Sequence, residues 1–199
     1  MRKISLEPLF ITAIYHGKLG LDTDDITQWC YQLRDLSSGR KKSNLGGWQS
    51  EDMRADEMFL KASGLITAIQ QTAKTYAQNV LRLQIRKWGI NNIWVNINGR
   101  GNGNLLHTHP TIQVAGVYYV KVPKDANSNL VFYNPGFEIM HRDIPEHLVS
   151  EWMPSNATAH DHIPEQDQIV LFPGWLQHLV MPNQSDDDRI SISFNVCFN

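Results

Sequence analysis

Three histidines and one arginine carry the chemistry legible in this chain. His107 and His109 stand two apart in LLHTHP, and His178 lies in FPGWLQHLVMPN. On an extended segment, residues i and i+2 project to the same side. The first pair can therefore aim both imidazoles at one point. A third histidine from a distant element would complete a three-point face with open positions opposite. Imidazole suits iron, zinc, nickel and copper alike. Spacing alone leaves a second reading open, in which the pair are loop histidines beside Pro110 and His178 is a satisfied residue. Arg189 opens the last strand-like segment and shares parity with Ser191, Ser193 and Asn195. An arginine turned into a small barrel cannot shed its charge and needs a carboxylate. A dicarboxylate co-substrate would supply one through a bidentate pair. The competing partners are Asp186, Asp187 and Asp188, which could hold Arg189 at the surface.

The elements that must position these side chains lie mostly after residue 90. NIWVNIN, VAGVYYVKV, NLVFYN, IVLFPG and RISISFNVCFN are short, β-branched or aromatic runs separated by glycine, proline and asparagine. Such a series predicts an antiparallel barrel or jelly roll. GRGNGN is a loop whose glycines suit positive φ angles. The earlier chain reads differently. Residues 4–16 form an extended opening segment. A helix capped by Asp22, Thr23 or Asp24 would bury Ile26, Trp29, Cys30, Leu33 and Leu36, at steps of three and four. SGRKKSNLGG is a loop. Residues 56–86 lack proline and carry apolar residues at helical spacing, weakened at Gly64. The expected architecture is mainly β with N-terminal helices, a single domain over residues 1–199. Residues 1–88 would be a helical support region and residues 89–199 the β core. The polar excursion 137–164 runs beside that core. Within it, His160 and His162 flank Asp161 in a weak imitation of a metal motif, while His141 and His147 read as solvated.

Composition narrows the function classes. The 199 residues are 42% hydrophobic and 19% charged, with 18 Lys plus Arg against 20 Asp plus Glu, a formal charge of −2. A near-neutral chain offers no basic field for a phosphate backbone, so nucleic acid is not favoured. No apolar run is long enough for a membrane span. Glu7 and Pro8 interrupt the opening apolar stretch, so a signal peptide is not expected. Cys30 and Cys197 match no thiol motif and read as free thiols of a cytoplasmic protein.

The stretch WVNINGRGNGNLLHTHPTIQVAGVYYVKVP, followed by LVFYNP, FPGWLQHLVMPN and RISISFNV, resembles an iron(II)/2-oxoglutarate oxygenase family with members in bacteria and marine phages. SNLGGWQS, Ser43 to Ser50, is similar to that family's N-terminal signature. The resemblance implies a double-stranded β-helix core, cupin-like in its jelly-roll plan, with Fe(II) and 2-oxoglutarate as cofactors. It implies a dioxygenase that consumes dioxygen and hydroxylates a C–H bond, releasing succinate and carbon dioxide. The substrate would be a small molecule or a peptide. The N-terminal helices would buttress one sheet or supply a homodimer face.

In the broader superfamily the ligands are a histidine, an acid two residues later, and a distal histidine. The matching positions are His107, His109 and His178, so a histidine stands where the acid is expected. The resemblance leaves three arrangements: three histidine ligands, two firm ligands, or His109 as ligand with His107 behind it. Arg189 matches the anchor of the far 2-oxoglutarate carboxylate. Tyr118 or Tyr119 could add a hydroxyl there, and Ser191 and Asn96 could line the site. Three rivals remain. HTH, PG, His178 and Asn183 also resemble the spacing of a cupin-like metal enzyme that uses no 2-oxoglutarate, although such a protein has no need of an inward Arg189. A non-catalytic binding protein on the same core is the second. A jelly-roll structural protein is the third, and three histidines converging on one cavity would count against it.

Overall fold

The computed structural model describes residues 7, 9–136, 138, 139, 143 and 145–198. Its strands are β1 (Tyr15–Lys18), β2 (Asn44–Leu45), β3 (Trp48–Gln49), β4 (Trp88–Asn98), β5 (Gly103–His107), β6 (Val114–Lys121), β7 (Leu130–Tyr133), β8 (Ala159–His162), β9 (Gln168–Pro173), β10 (His178–Val180) and β11 (Arg189–Phe198). They form two antiparallel sheets. The larger runs β1-β9-β6-β11-β4-β3 and the smaller β2-β5-β10-β7-β8. Helices α1 (Asp24–Leu36) and α2 (Ala55–Thr75), the latter extended by a π-helical turn at Tyr76–Val80, precede the long strands.

The larger sheet is buried on both faces, which explains why β6 (VAGVYYVK) and β9 (QIVLFP) read as nearly continuous apolar runs. Val114, Tyr118, Val120, Ile190, Ile192, Phe194 and Val196 form one core with Leu65, Ile66, Ile69 and Tyr76 of the helical segment. On the opposite face, Ala115, Val117 and Tyr119 join Leu130, Phe132, Val170 and Phe172 in a second core between the sheets. Each Val, Leu, Ile or Phe among them contributes roughly 1.5–3 kcal/mol when fully buried. The inner face is not uniformly apolar. Asn96, Asn98, Arg189, Ser191 and Asn195 are buried there as well, and this polar band of β4 and β11 marks the site.

The Ser43–Ser50 segment takes the chain from one sheet to the other. Asn44 and Leu45 pair with Asn104 and Gly103 of the smaller sheet, and Trp48 and Gln49 pair with Ile97 and Asn96 of the larger. Gly46 and Gly47 between them have φ of +66° and +68°, a conformation costly for residues with a Cβ.

Several boundaries differ from the sequence expectation. At the start of α1, the Asp22 carboxylate accepts the Asp24 backbone N–H, whereas the Thr23 hydroxyl accepts from Gln166. Leu36, the last of the proposed stripe, is exposed because it lies beyond the core. α2 is kinked at Ala62 (φ −141°, ψ 48°) rather than at Gly64, and helical structure ends at Val80 instead of running to residue 86. The first 88 residues also supply β1, β2 and β3. Of the expected extended opening, only Tyr15 and His16 lie in a strand, and residues 1–6 and 8 are outside the described set. Cys30 and Cys197 are free, and burial pushes the Cys30 thiol up to about 12. Among the described residues, no helix is long and apolar enough to cross a membrane.

Candidate metal centre

Strand register brings the histidines together. His107 is the last residue of β5 and lies directly across from His178, the first residue of β10. His109 follows in the loop, where its backbone N–H donates to the Gly174 carbonyl at 2.8 Å. One ring nitrogen from each histidine lies within 4.8 Å of the other two. Ring centroids are 4.3 Å apart for His107 and His178, and 5.2 Å for each pair with His109.

Two of the three rings have a fixed tautomer. His107 Nδ1 is 2.7 Å from the Leu105 carbonyl and His178 Nδ1 is 2.8 Å from the Leu176 carbonyl. A carbonyl can only accept, so each Nδ1 carries the proton and each Nε2 keeps a free lone pair. Burial pushes the His178 pKa down to about 3 and that of His109 to about 4, and lowers His107 too. Repulsion from the neighbouring imidazoles acts in the same direction for His109 and His178. All three rings are thus neutral near pH 7, the state a metal requires. Phe172 packs edge-on against His178 at 4.6 Å, and Trp94 stacks on His109 at 6.0 Å.

Arg189 faces the same cavity. It is 2% exposed. Its Nη1 reaches the Ser128 carbonyl and its Nη2 the Asn98 side-chain oxygen, each at a long 3.4 Å. Among the described residues its Nε has no hydrogen-bond partner. The surface alternative fails because the three aspartates are engaged elsewhere: Asp186 with Arg100, Asp187 with Lys121 and Asp188 with Arg34. Arg189 is a buried cation, and among the described residues its cavity walls carry no carboxylate.

Residues 92–195 match the sequence profile of the family described as "Putative 2OG-Fe(II) oxygenase". The chain belongs to this 2OG-Fe(II) oxygenase family. As a member, it is an Fe(II)- and 2-oxoglutarate-dependent oxygenase that also requires dioxygen and a substrate. No curated protein sequence matches it. Several solved structures share the oxygenase's fold. A Pseudomonas putida prolyl-4-hydroxylase aligns over 94% of each chain with 12% identity and a TM-score of 0.62. A Trichoplax adhaerens prolyl hydroxylase, in complex with a hypoxia inducible factor peptide fragment, aligns over 92% of this chain and 82% of its own, with 14% identity and a TM-score of 0.66. HygX from Streptomyces hygroscopicus, with nickel, 2-oxoglutarate and hygromycin B bound, aligns over 93% and 82%, with 8% identity and a TM-score of 0.61. The shared fold is the double-stranded β-helix.

The oxygenase's own residues fit both cofactors. Three neutral imidazoles are suitable donors for Fe(II), although the set lacks the carboxylate of a two-histidine facial triad. The Arg189 guanidinium, held by two long hydrogen bonds and facing no carboxylate among the described residues, is suited to a carboxylate from 2-oxoglutarate. Tyr119 lies beside it, with the guanidinium carbon 5.8 Å from its ring centre. Asn96, Ser191 and Ser193 line the same cavity. Tyr118 is a correction. It points to the helix-facing core, and its hydroxyl donates to Asp167 at 2.9 Å. Successive strand residues face opposite ways, and Tyr119 has the inward position.

The other histidines stand apart. His160 and His162 belong to β8, a strand the sequence reading did not anticipate. His162 is bonded to Gln168 at 2.9 Å and packs against His16, while His160 is exposed. His147 is exposed, and His141 lies outside the described residues. Among the described residues, the one cluster able to hold a metal is His107, His109 and His178. Sequence reasoning missed Trp94, Ser128 and Asn98. Trp94 had a signal, since it shares inward parity with Asn96. Ser128 had none, because it meets Arg189 through its backbone.

Proposed function

We propose that His107, His109 and His178 together bind the iron, and that Arg189 anchors the distal carboxylate of 2-oxoglutarate in a C–H hydroxylase. The observation that carries this reading is the buried Arg189 guanidinium, which faces the three-histidine cavity without a carboxylate partner. When bound, Fe(II) would supply the oxidising chemistry, in which dioxygen, 2-oxoglutarate and a substrate C–H together give succinate, carbon dioxide and the hydroxylated substrate. The chain's work is orientation and exclusion of water. Arg189 fixes the far end of the co-substrate by a charge-assisted fork. Tyr119, Ser191 and Asn96 border that end. Phe172, Phe132 and Trp94 wall the histidine end. Residues 89–199 form the proposed catalytic core, with residues 1–88 in support.

The proposed substrate is a small molecule or a peptide. The Trichoplax neighbour with its peptide fragment and HygX with hygromycin B give precedent for each. We place the enzyme in the cytoplasm. A cupin-like metal enzyme without 2-oxoglutarate is disfavoured because it would leave Arg189 uncompensated. The test is calorimetric titration of 2-oxoglutarate into nickel-loaded protein. Wild type binds it, whereas Arg189→Met takes up nickel but not 2-oxoglutarate. Equal binding by both proteins would overturn the assignment of Arg189.

A further inference from the structure

Arg189 meets the segment that leads into β7. Its Nη1 donates to the Ser128 carbonyl at 3.4 Å. The hydroxyl of the same serine is buried and has no hydrogen-bond partner among the described residues. Ser128 is 1% exposed. Burying a hydroxyl without a partner is costly, and in a native protein such a group calls for an explanation.

The direction of this side chain follows from the strand. The Met181 backbone N–H donates to the Asn129 carbonyl at 3.0 Å, so the β7–β10 ladder continues one residue before Leu130. Alternate residues of an extended segment share a face. Burial alternates accordingly, with Asn127 exposed, Ser128 buried, Asn129 half-buried and Leu130 buried. Leu130 lines the cavity, and Phe132 belongs to the core between the sheets. Ser128 shares their inward side, at the end of the cavity where Arg189 lies. Only Cα and Cβ separate its hydroxyl from the peptide carbonyl that meets Arg189.

We propose that the Ser128 hydroxyl is a second donor to the distal carboxylate of 2-oxoglutarate, and that with Arg189 it selects a 2-oxo dicarboxylate over a 2-oxo acid lacking the far carboxylate. The inference rests on the reading of Arg189 given above. The long contacts to Ser128 and Asn98 leave further N–H donors of the guanidinium free for the fork. A carboxylate held by that fork keeps lone pairs that the guanidinium does not reach, and it can only accept. A serine hydroxyl can donate to one of them, which gives the buried group its partner. Ser128 thus adds affinity at the anchor end without touching the metal. Because the hydroxyl makes no bond within the fold, an alanine in its place loses nothing that holds the fold together.

The test uses the full chain as wild type, Ser128→Ala and Arg189→Met, each loaded with nickel. Calorimetry follows the binding of 2-oxoglutarate and of 2-oxobutyrate, which keeps the 2-oxo acid but has no distal carboxylate. Ser128→Ala should bind 2-oxoglutarate about 10- to 100-fold more weakly, the usual effect of losing a hydrogen bond to a charged group. It should bind 2-oxobutyrate as wild type does. Without metal or co-substrate it should melt at the wild-type Tm or above. Unchanged 2-oxoglutarate affinity, an equal loss for both acids, or a lowered Tm of the free protein would each overturn the role of the hydroxyl. The two readings fail separately. If Arg189→Met loses 2-oxoglutarate but Ser128→Ala does not, only Ser128 is struck. If Arg189→Met binds it as wild type does, the anchor itself falls.

Discussion

His178 lies directly opposite His107 across the β5–β10 pair, with ring centroids 4.3 Å apart. Two residues far apart in sequence become neighbours through register alone. A one-residue slip would turn either ring to the opposite face of the sheet. The pair is therefore as dependent on the backbone around it as on its own side chains.

Gly174 is part of that backbone. A Cβ there would meet the Ile112 carbonyl oxygen and come within 3.0 Å of the His109 carbonyl oxygen. Both are main-chain atoms and cannot swing aside. Gly174→Ala should cost about 1–3 kcal/mol of stability, the usual range for overpacking. It should also weaken metal binding by moving His109. Thermal melts with and without cobalt check this. A variant with wild-type Tm and cobalt affinity would show that the loop yields freely.

Arg189 makes a prediction of opposite sign. Replacing a buried, poorly compensated charge by an apolar side chain is often neutral or stabilising. Arg189→Met should therefore unfold at the same or higher denaturant concentration than wild type, although it loses 2-oxoglutarate binding. Arg189→Lys should also bind 2-oxoglutarate at least about tenfold more weakly, because an ammonium cannot form the planar fork. A large loss of stability in Arg189→Met would mean that the arginine is structural.

Acid should destabilise the metal-free protein in a defined window. Free imidazoles titrate near 6.5, whereas burial pushes folded His109 to about 4 and His178 to about 3. Between these values the unfolded chain binds more protons, so stability falls as pH falls. The contribution is full above about 6.5 and lost by the time the folded rings protonate. Denaturant melts from about pH 8 to pH 5 should show this decline, with a shallower slope in His178→Phe. A variant that keeps the wild-type slope would place the acid sensitivity elsewhere.

Much of the site was legible because strands have a period of two. The HTH spacing put His107 and His109 on one side, and the alternation of RISISFNV put Arg189 with Ser191 and Ser193. Parity also said that only one of Tyr118 and Tyr119 could face inward. It could not say which, because the larger sheet is buried on both faces and tyrosine suits either. The destinations of Asp186, Asp187 and Asp188 were hidden, since Arg100, Lys121 and Arg34 come from three separate parts of the chain. The corner at Gly46 and Gly47 read as a loop within a family-like signature, with no sign that it carries the chain from one sheet to the other.

The most direct measurement is an anaerobic titration with Fe(II) and 2-oxoglutarate, followed by visible absorption. The account predicts one iron per chain and a metal-to-ligand charge-transfer band that is absent in Arg189→Ala. The His107→Ala and His178→Ala variants should each lose iron affinity. No iron bound to wild type, or iron binding unaffected by loss of both histidines, would contradict it.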